Sequence, residues 1–310
     1  MKKMLPVLST LLVSTAFAGG AQPPMAPMPM PMPMPMPAAA PMAPGMADRG
    51  TVNVNGATVF YKAQGQGQPL LLIHGYPLSG ELFKNNRVIP GYRVITVDLP
   101  GFGMSTAPSR DASIENYART MVGFMDAMKI DKAVVGGMSM GGMTLLQMYK
   151  LAPERFKGLI FIDTTADPAG VAEAATWRGQ AQQAEQMGVA SLVPGLLPRM
   201  LTGESRMKMP NQVEHLSNIV KGASLNGAIG GGNALAARPD ANPILPTIKV
   251  PTLLVFGAED NVTPTELAMK MQKGIAGSKL ALIPGAGHAA VFEKAAAANA
   301  AMVEWLRTVR

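Results

Sequence analysis

Cysteine is absent from all 310 residues. Its absence excludes a disulfide framework, a thiolate nucleophile, an iron–sulfur cluster and cysteine-ligated zinc. Charge is sparse too: Asp, Glu, Lys and Arg make up 15% of the chain. With 48% apolar residues, that scarcity does not describe a disordered protein. No run of five basic residues occurs and no basic–aromatic interleaving, so the formal charge of +7 supplies no nucleic-acid surface. Beyond the N-terminus no stretch is apolar for long enough to span a bilayer. Histidine is the rarest side chain of chemical use, with three copies, His74, His215 and His288.

What is present is unevenly spread. Lys2 and Lys3 precede an apolar run over residues 4–17, and Ala16-Phe17-Ala18 has the small residues of a cleavage site. Residues 1–18 therefore read as a signal peptide. The mature chain is expected to be exported, periplasmic or extracellular, with no stable membrane span once the signal is removed. The first 50 residues hold 10 of the 25 Met and 11 of the 27 Pro. Over residues 28–37 the two alternate strictly. Each Pro fixes φ and lacks an N–H, and each Met before it is pushed out of the helical region. Residues 19–50 are read as a disordered, extended linker. Thioethers also favour Cu(I), so an extracytoplasmic copper-binding or tethering protein on a silent scaffold is one competing reading.

From residue 51 the pattern is that of a folded body. Residues 51–54 and 58–62 flank Asn55-Gly56, a hairpin signal. Short apolar runs at 70–73, 92–97, 133–136, 159–162, 252–256 and 280–283 read as buried strands. Residues 114–128, 143–151 and 291–309 read as helices. Strands alternating with helices predict an α/β domain over 51–310 with a mostly parallel sheet covered on both faces. Residues 164–246 hold no strand signal and are read as a helical cap inserted after the sixth strand.

Ser139 lies in Gly137-Met138-Ser139-Met140-Gly141, between a strand and a helix. G-x-S-x-G in that context marks a nucleophile on a sharp strand-to-helix turn. A serine needs a base. His288 follows the last strand in P-G-A-G-H, at a strand end where parallel sheets carry their chemistry. His74 is expected to brace its loop and His215 to be a surface or cap residue. The base in turn needs a carboxylate to orient it. Asp260 follows the strand at 252–256, with Glu259 and Asp163 as competitors. The order Ser139, Asp260, His288 fits a strand–turn–helix hydrolase. Met138 and Trp177 are candidates to line a permissive apolar pocket. No cationic cluster points to a phosphorylated or CoA-linked substrate, and no cofactor or metal is called for.

The strings L-L-L-I-H-G-Y-P-L-S-G (70–80), D-L-P-G-F-G-M-S (98–105), G-G-M-S-M-G-G (136–142), L-A-A-R-P-D (235–240), F-G-A-E-D (256–260) and P-G-A-G-H (284–288) resemble the α/β-hydrolase superfamily. Within it the chain is similar to the capped serine esterases, enol-lactonases and cofactor-free perhydrolases. The resemblance implies an oxyanion hole made by the amides of Tyr76 and Met140. Pro77 has no N–H to offer. Ser at 139 argues against the aspartate-nucleophile branch that shares H-G-Y-P. The function expected is cleavage of a small carboxylic ester or lactone through an acyl-enzyme. Acyl transfer or perhydrolysis by the same three residues is the alternative.

Overall fold

The computed structural model describes residues 48–54, 56–106, 110 and 112–309. The expected signal and nearly all of the linker lie outside them. Eight strands form one sheet: β1 (Arg49–Val54), β2 (Ala57–Gln64), β3 (Gln68–Ile73), β4 (Tyr92–Val97), β5 (Ala133–Met138), β6 (Phe156–Ile162), β7 (Thr252–Gly257) and β8 (Lys279–Ile283). Their order across the sheet is 1-2-4-3-5-6-7-8. β1–β2 and β2–β4 are antiparallel, and every later pair is parallel. The first strand begins at Arg49, two residues earlier than the turn signal suggested, because Arg49 and Gly50 continue the ladder opposite Lys62 and Tyr61.

Alternation within the strands divides the core. Leu71, Ile73, Val135, Phe161, Leu254 and Phe256 face one side of the sheet. Leu70, Leu72, Val134, Ile160, Leu253 and Val255 face the other. Both sets are almost completely buried, which is why these strands read as continuous apolar runs. The first side is covered by α1 (Ile114–Ala127) and α2 (Met140–Leu151), whose buried residues join that cluster. Ser113 caps α1 by accepting from the amide of Asn116.

All of the helices α3 (Val171–Met187), α4 (Val193–Met200), α5 (Gly203–Lys208), α6 (Pro210–Lys221) and α7 (Leu225–Ala236) lie between β6 and β7. They form the helical insertion after the sixth strand. A further helix, α8 (Thr265–Gly274), joins β7 to β8. The single C-terminal helix expected over 291–309 is two, α9 (Ala290–Glu293) and α10 (Ala295–Leu306), separated by Lys294 at φ −125° and ψ 51°. The break turns the Glu293 carboxylate inward. Among the described residues no helix is long and apolar enough to cross a membrane.

The sheet order reverses direction between β3 and β5, where ligands of open α/β sheets bind. Pairing of Ile73 with Gly137 brings the loop after β3 beside the turn after β5. β6, β7 and β8 follow in order, so their carboxyl ends line up on the same edge.

Candidate active site

Ser139 sits between β5 and α2 with φ +52° and ψ −117°. This backbone conformation is costly for a residue with a Cβ and persists only where its surroundings over-determine it. The flanking glycines supply the constraint. A Cβ on Gly137 would run into the Gly141 backbone, and one on Gly141 into the carbonyl of Ile73. The turn therefore packs backbone on backbone. α2 begins at Met140, directly after the serine and three residues earlier than its apolar pattern suggested.

The Ser139 hydroxyl lies 2.9 Å from Nε2 of His288. Nδ1 of the same ring lies 2.9 Å from Oδ2 of Asp260. A carboxylate can only accept, so Nδ1–H donates to Asp260 and the Nε2 lone pair faces the serine hydroxyl. Ser139, His288 and Asp260 are 9%, 4% and 4% exposed, so the relay is shielded from bulk water. Asp260 also accepts from the amides of Val262 (2.7 Å) and Thr263 (3.0 Å) and from the Thr263 hydroxyl (2.6 Å). Burial works against its charge, but His288 and the Thr263 donors outweigh it and hold the carboxyl below its ordinary range. Glu259 is not in the relay; its amide donates to the Ala286 carbonyl.

The loop that carries Tyr76 packs on the serine turn, since a Cβ on Gly75 would lie 2.9 Å from the Ser139 Cβ. Among the described residues neither the Tyr76 nor the Met140 N–H donates to a protein acceptor. Met140 opens α2, whose N-terminal amides and dipole favour negative charge. The corner brings together a hydroxyl, an imidazole and a carboxylate in one hydrogen-bonded row, next to two amides without a protein acceptor.

His74 is fully buried and occupied on both nitrogens. It donates from Nδ1 to the Gly75 carbonyl at 2.7 Å and accepts at Nε2 from the Leu99 amide at 2.9 Å. Burial first, against the opposing pull of Asp98, lowers its pKa and keeps it neutral. It ties the loop after β3 to the D-L-P-G-F-G loop. His215, on α6, stacks on Phe292 with ring centroids 5.9 Å apart. Of the pocket candidates, Met138 is wholly buried with its sulfur beside Gly75. Trp177, on α3, is buried edge-to-face on Tyr76 at 5.9 Å.

Two more buried carboxylates, Asp163, a competitor of Asp260 in the sequence reading, and Glu293, which had no role in it, complete the surroundings of His288. Asp163, at the end of β6 with φ +42°, makes no hydrogen bond to His288. It accepts from the amides of Gly257 (2.7 Å) and Ala290 (3.0 Å) and so fastens the loops that carry Asp260 and His288. Burial, then the nearby Asp260 carboxylate, push its pKa well above the ordinary range. Glu293 accepts from the Gly287 amide (2.7 Å), the Thr202 amide (2.9 Å) and the Thr202 hydroxyl (2.6 Å). It stitches the helical insertion to the His288 loop, and the Ala289 amide adds a bond to the Met200 carbonyl at 3.0 Å. The only sequence cue for Glu293 is an acid just past P-G-A-G-H, too weak to single it out.

Arg238, from L-A-A-R-P-D, closes the insertion at its base. It grips both Glu173 oxygens at 2.7 Å and donates to the Asp167 carbonyl at 2.8 Å, joining the end of the insertion to its beginning.

Residues 68–295 match the alpha/beta hydrolase fold family. The chain belongs to that family. The 3-oxoadipate enol-lactonase 2 of Acinetobacter baylyi is 30% identical to this alpha/beta hydrolase over 211 residues, 68% of this chain and 77% of that one. A 2-hydroxy-6-oxo-6-phenylhexa-2,4-dienoate hydrolase of Burkholderia cepacia is 28% identical over 279 residues, covering 83% of this chain and 94% of its own. Among solved structures, a thermophilic esterase from Thermogutta terrifontis superimposes with a TM-score of 0.81 at 29% identity, covering 85% of this chain and 99% of that one. The protein is therefore an enzyme of the alpha/beta hydrolase class, and a small molecule suits its site.

Proposed function

We propose that this hydrolase cleaves carboxylic esters or lactones with Ser139 as nucleophile, His288 as base and Asp260 as orienting acid. The observation that carries the reading is the unbroken relay from Ser139 through His288 to Asp260, at 2.9 Å on each side of the ring. Ser139 attacks the carbonyl carbon while His288 takes its proton. Asp260 holds the tautomer and stabilises the imidazolium that forms. The amides of Tyr76 and Met140 receive the oxyanion. The imidazolium then protonates the leaving alkoxide, which departs and leaves an acyl-serine. Water, deprotonated by His288, attacks the acyl carbon, and the serine leaves with its proton restored. Relatives named as an enol-lactonase and an esterase support the substrate class.

The insertion supports a cap that shields the acyl-enzyme, and the N-terminal signal pattern supports export. The same relay would pass the acyl group to an alcohol or peroxide, which product ratios in competing nucleophiles distinguish from hydrolysis. The test is turnover of p-nitrophenyl esters of graded acyl length by wild type and Ser139→Ala. The variant is expected to lose roughly 10⁴–10⁶ in kcat, the scale of losing a triad member. Retention of wild-type rates would refute the assignment.

A further inference from the structure

His288 stands on a loop whose main chain is held from two sides. The sheet side holds it two residues out. The Ala286 carbonyl accepts from the Glu259 amide at 2.9 Å, and the Ala290 amide donates to Asp163 at 3.0 Å. The helical insertion holds it one residue out. After the histidine, the Ala289 amide donates to the Met200 carbonyl at 3.0 Å. Before it, the Gly287 amide donates to one oxygen of Glu293 at 2.7 Å. The other oxygen of Glu293 accepts from Thr202 twice, from its amide at 2.9 Å and from its hydroxyl at 2.6 Å. Met200 ends α4 and Thr202 precedes α5, so residues 200–202 of the insertion bracket His288.

The bracket is close and dry. A Cβ on Gly287 would stand 3.0 Å from the Met200 carbonyl and 3.4 Å from the Thr202 amide, so a bare glycine lets the insertion come this near to the base. Glu293 is 3% exposed, so water does not replace its donors. The Thr202 hydroxyl also accepts from the Ser205 amide at 3.2 Å, as the cap of α5. Its proton goes to the carboxylate, which makes this bond one of the strong, charge-assisted kind.

Resting on the catalytic reading above, we propose that Thr202 and Glu293 are positioning residues for His288. Through them the insertion sets the main chain from which the ring reaches Ser139, so alignment of the base depends on where the insertion sits. A shift of residues 200–202 carries Gly287 and Ala289 with it, and the ring turns on its Asp260 bond away from the serine. Misplacing a reacting group by about 1 Å costs on the order of 100-fold in rate. The competing role is a clamp that keeps the insertion attached and leaves the chemistry untouched.

The experiment measures kcat and KM on p-nitrophenyl acetate, per active site counted with a fluorophosphonate carried to completion. The acetyl group is small, so contacts between substrate and insertion contribute little. Counting sites removes unfolded protein from the rate. His288 serves both acylation and deacylation, so kcat reports its alignment whichever step is slower. Glu293→Gln is expected to lower kcat per site by about 10–100-fold with KM nearly unchanged. Thr202→Val loses the hydroxyl bond and keeps the amide bond, and is expected to lose about tenfold. Thr202→Ser, which restores the hydroxyl, is expected to match wild type. Fewer titrated sites with an unchanged kcat per site would overturn the proposal and leave a clamp. So would a loss confined to KM, or a Thr202→Ser enzyme as slow as Thr202→Val. Turnover that survives in Ser139→Ala removes the catalytic reading instead.

Discussion

Four donors converge on Asp260, and they explain how a carboxylate 4% exposed remains charged beside the His288 ring. Asp260→Asn keeps the shape but offers an N–H where Nδ1–H must donate. The wrong tautomer then faces Ser139, and kcat on a p-nitrophenyl ester is expected to fall by about 10⁴. A loss below tenfold would mean that another acid orients the ring. At this scale the three residues singled out in the sequence are the ones the fold brings into one hydrogen-bonded row. Ser139, Asp260 and His288 stand at strand ends in Gly-rich turns, and the scarcity of histidine shortened the search. Asp163 was read as a competitor for Asp260's place, because both follow strands. Only coordinates separate an acid that meets an imidazole from one that meets two backbone amides. Glu293 was invisible for a related reason: its meaning lies in Thr202, 91 residues away.

The elements carry the site by backbone contact. Gly141 lets α2 press on the Ile73 carbonyl, and this approach sets Ser139 beside the loop after β3. Gly141→Ala has no flexible neighbour to displace and is expected to unfold the chain or lower its thermal midpoint sharply, as measured by calorimetry. The link between the insertion and the His288 loop is lighter. Glu293→Gln removes one accepting oxygen from a buried set of three donors and is expected to cost about 1–3 kcal/mol in urea unfolding. Should that variant match wild type in both stability and kcat, the clamp is not structural. The central strands were legible because burial on both faces makes them uninterrupted apolar runs, whereas β8 reads the same way although its Leu282 is exposed. α8 was not, because it buries only Ala268 and Met271 and so carries a thin apolar stripe. The break at Lys294 also escaped, since Ala-rich sequence continues across it and only the inward turn of Glu293 requires it.

For the molecule as a whole, buried titratable groups tie stability to pH in opposing directions. The His74 pKa is lowered from its ordinary 6.5, so below 6.5 the unfolded chain binds a proton that the folded chain refuses, and stability falls with acid. The Asp163 pKa is raised from 3.8, so above 3.8 the folded chain holds a proton that the unfolded chain has released, and stability rises with acid until pH 3.8 is reached. Between 3.8 and 6.5 the two act in opposite directions. Below 3.8 the depressed Asp260 adds a loss of its own. Asp163→Asn removes the counterweight. Its unfolding free energy is expected to decline with acid more steeply than wild type across that window, by up to about 1.4 kcal/mol per pH unit. Parallel curves would mean that Asp163 is ionised in the fold.

The central claim is that Ser139 is an activated nucleophile, and a fluorophosphonate tests it without assuming a substrate. Attack by the serine oxygen on phosphorus expels fluoride and leaves a stable phosphonyl-serine that intact-mass spectrometry and peptide mapping detect. The account predicts one adduct per chain on the peptide containing Ser139, and none in Ser139→Ala. An unlabelled wild-type chain, or an adduct that maps elsewhere and persists in Ser139→Ala, would contradict it.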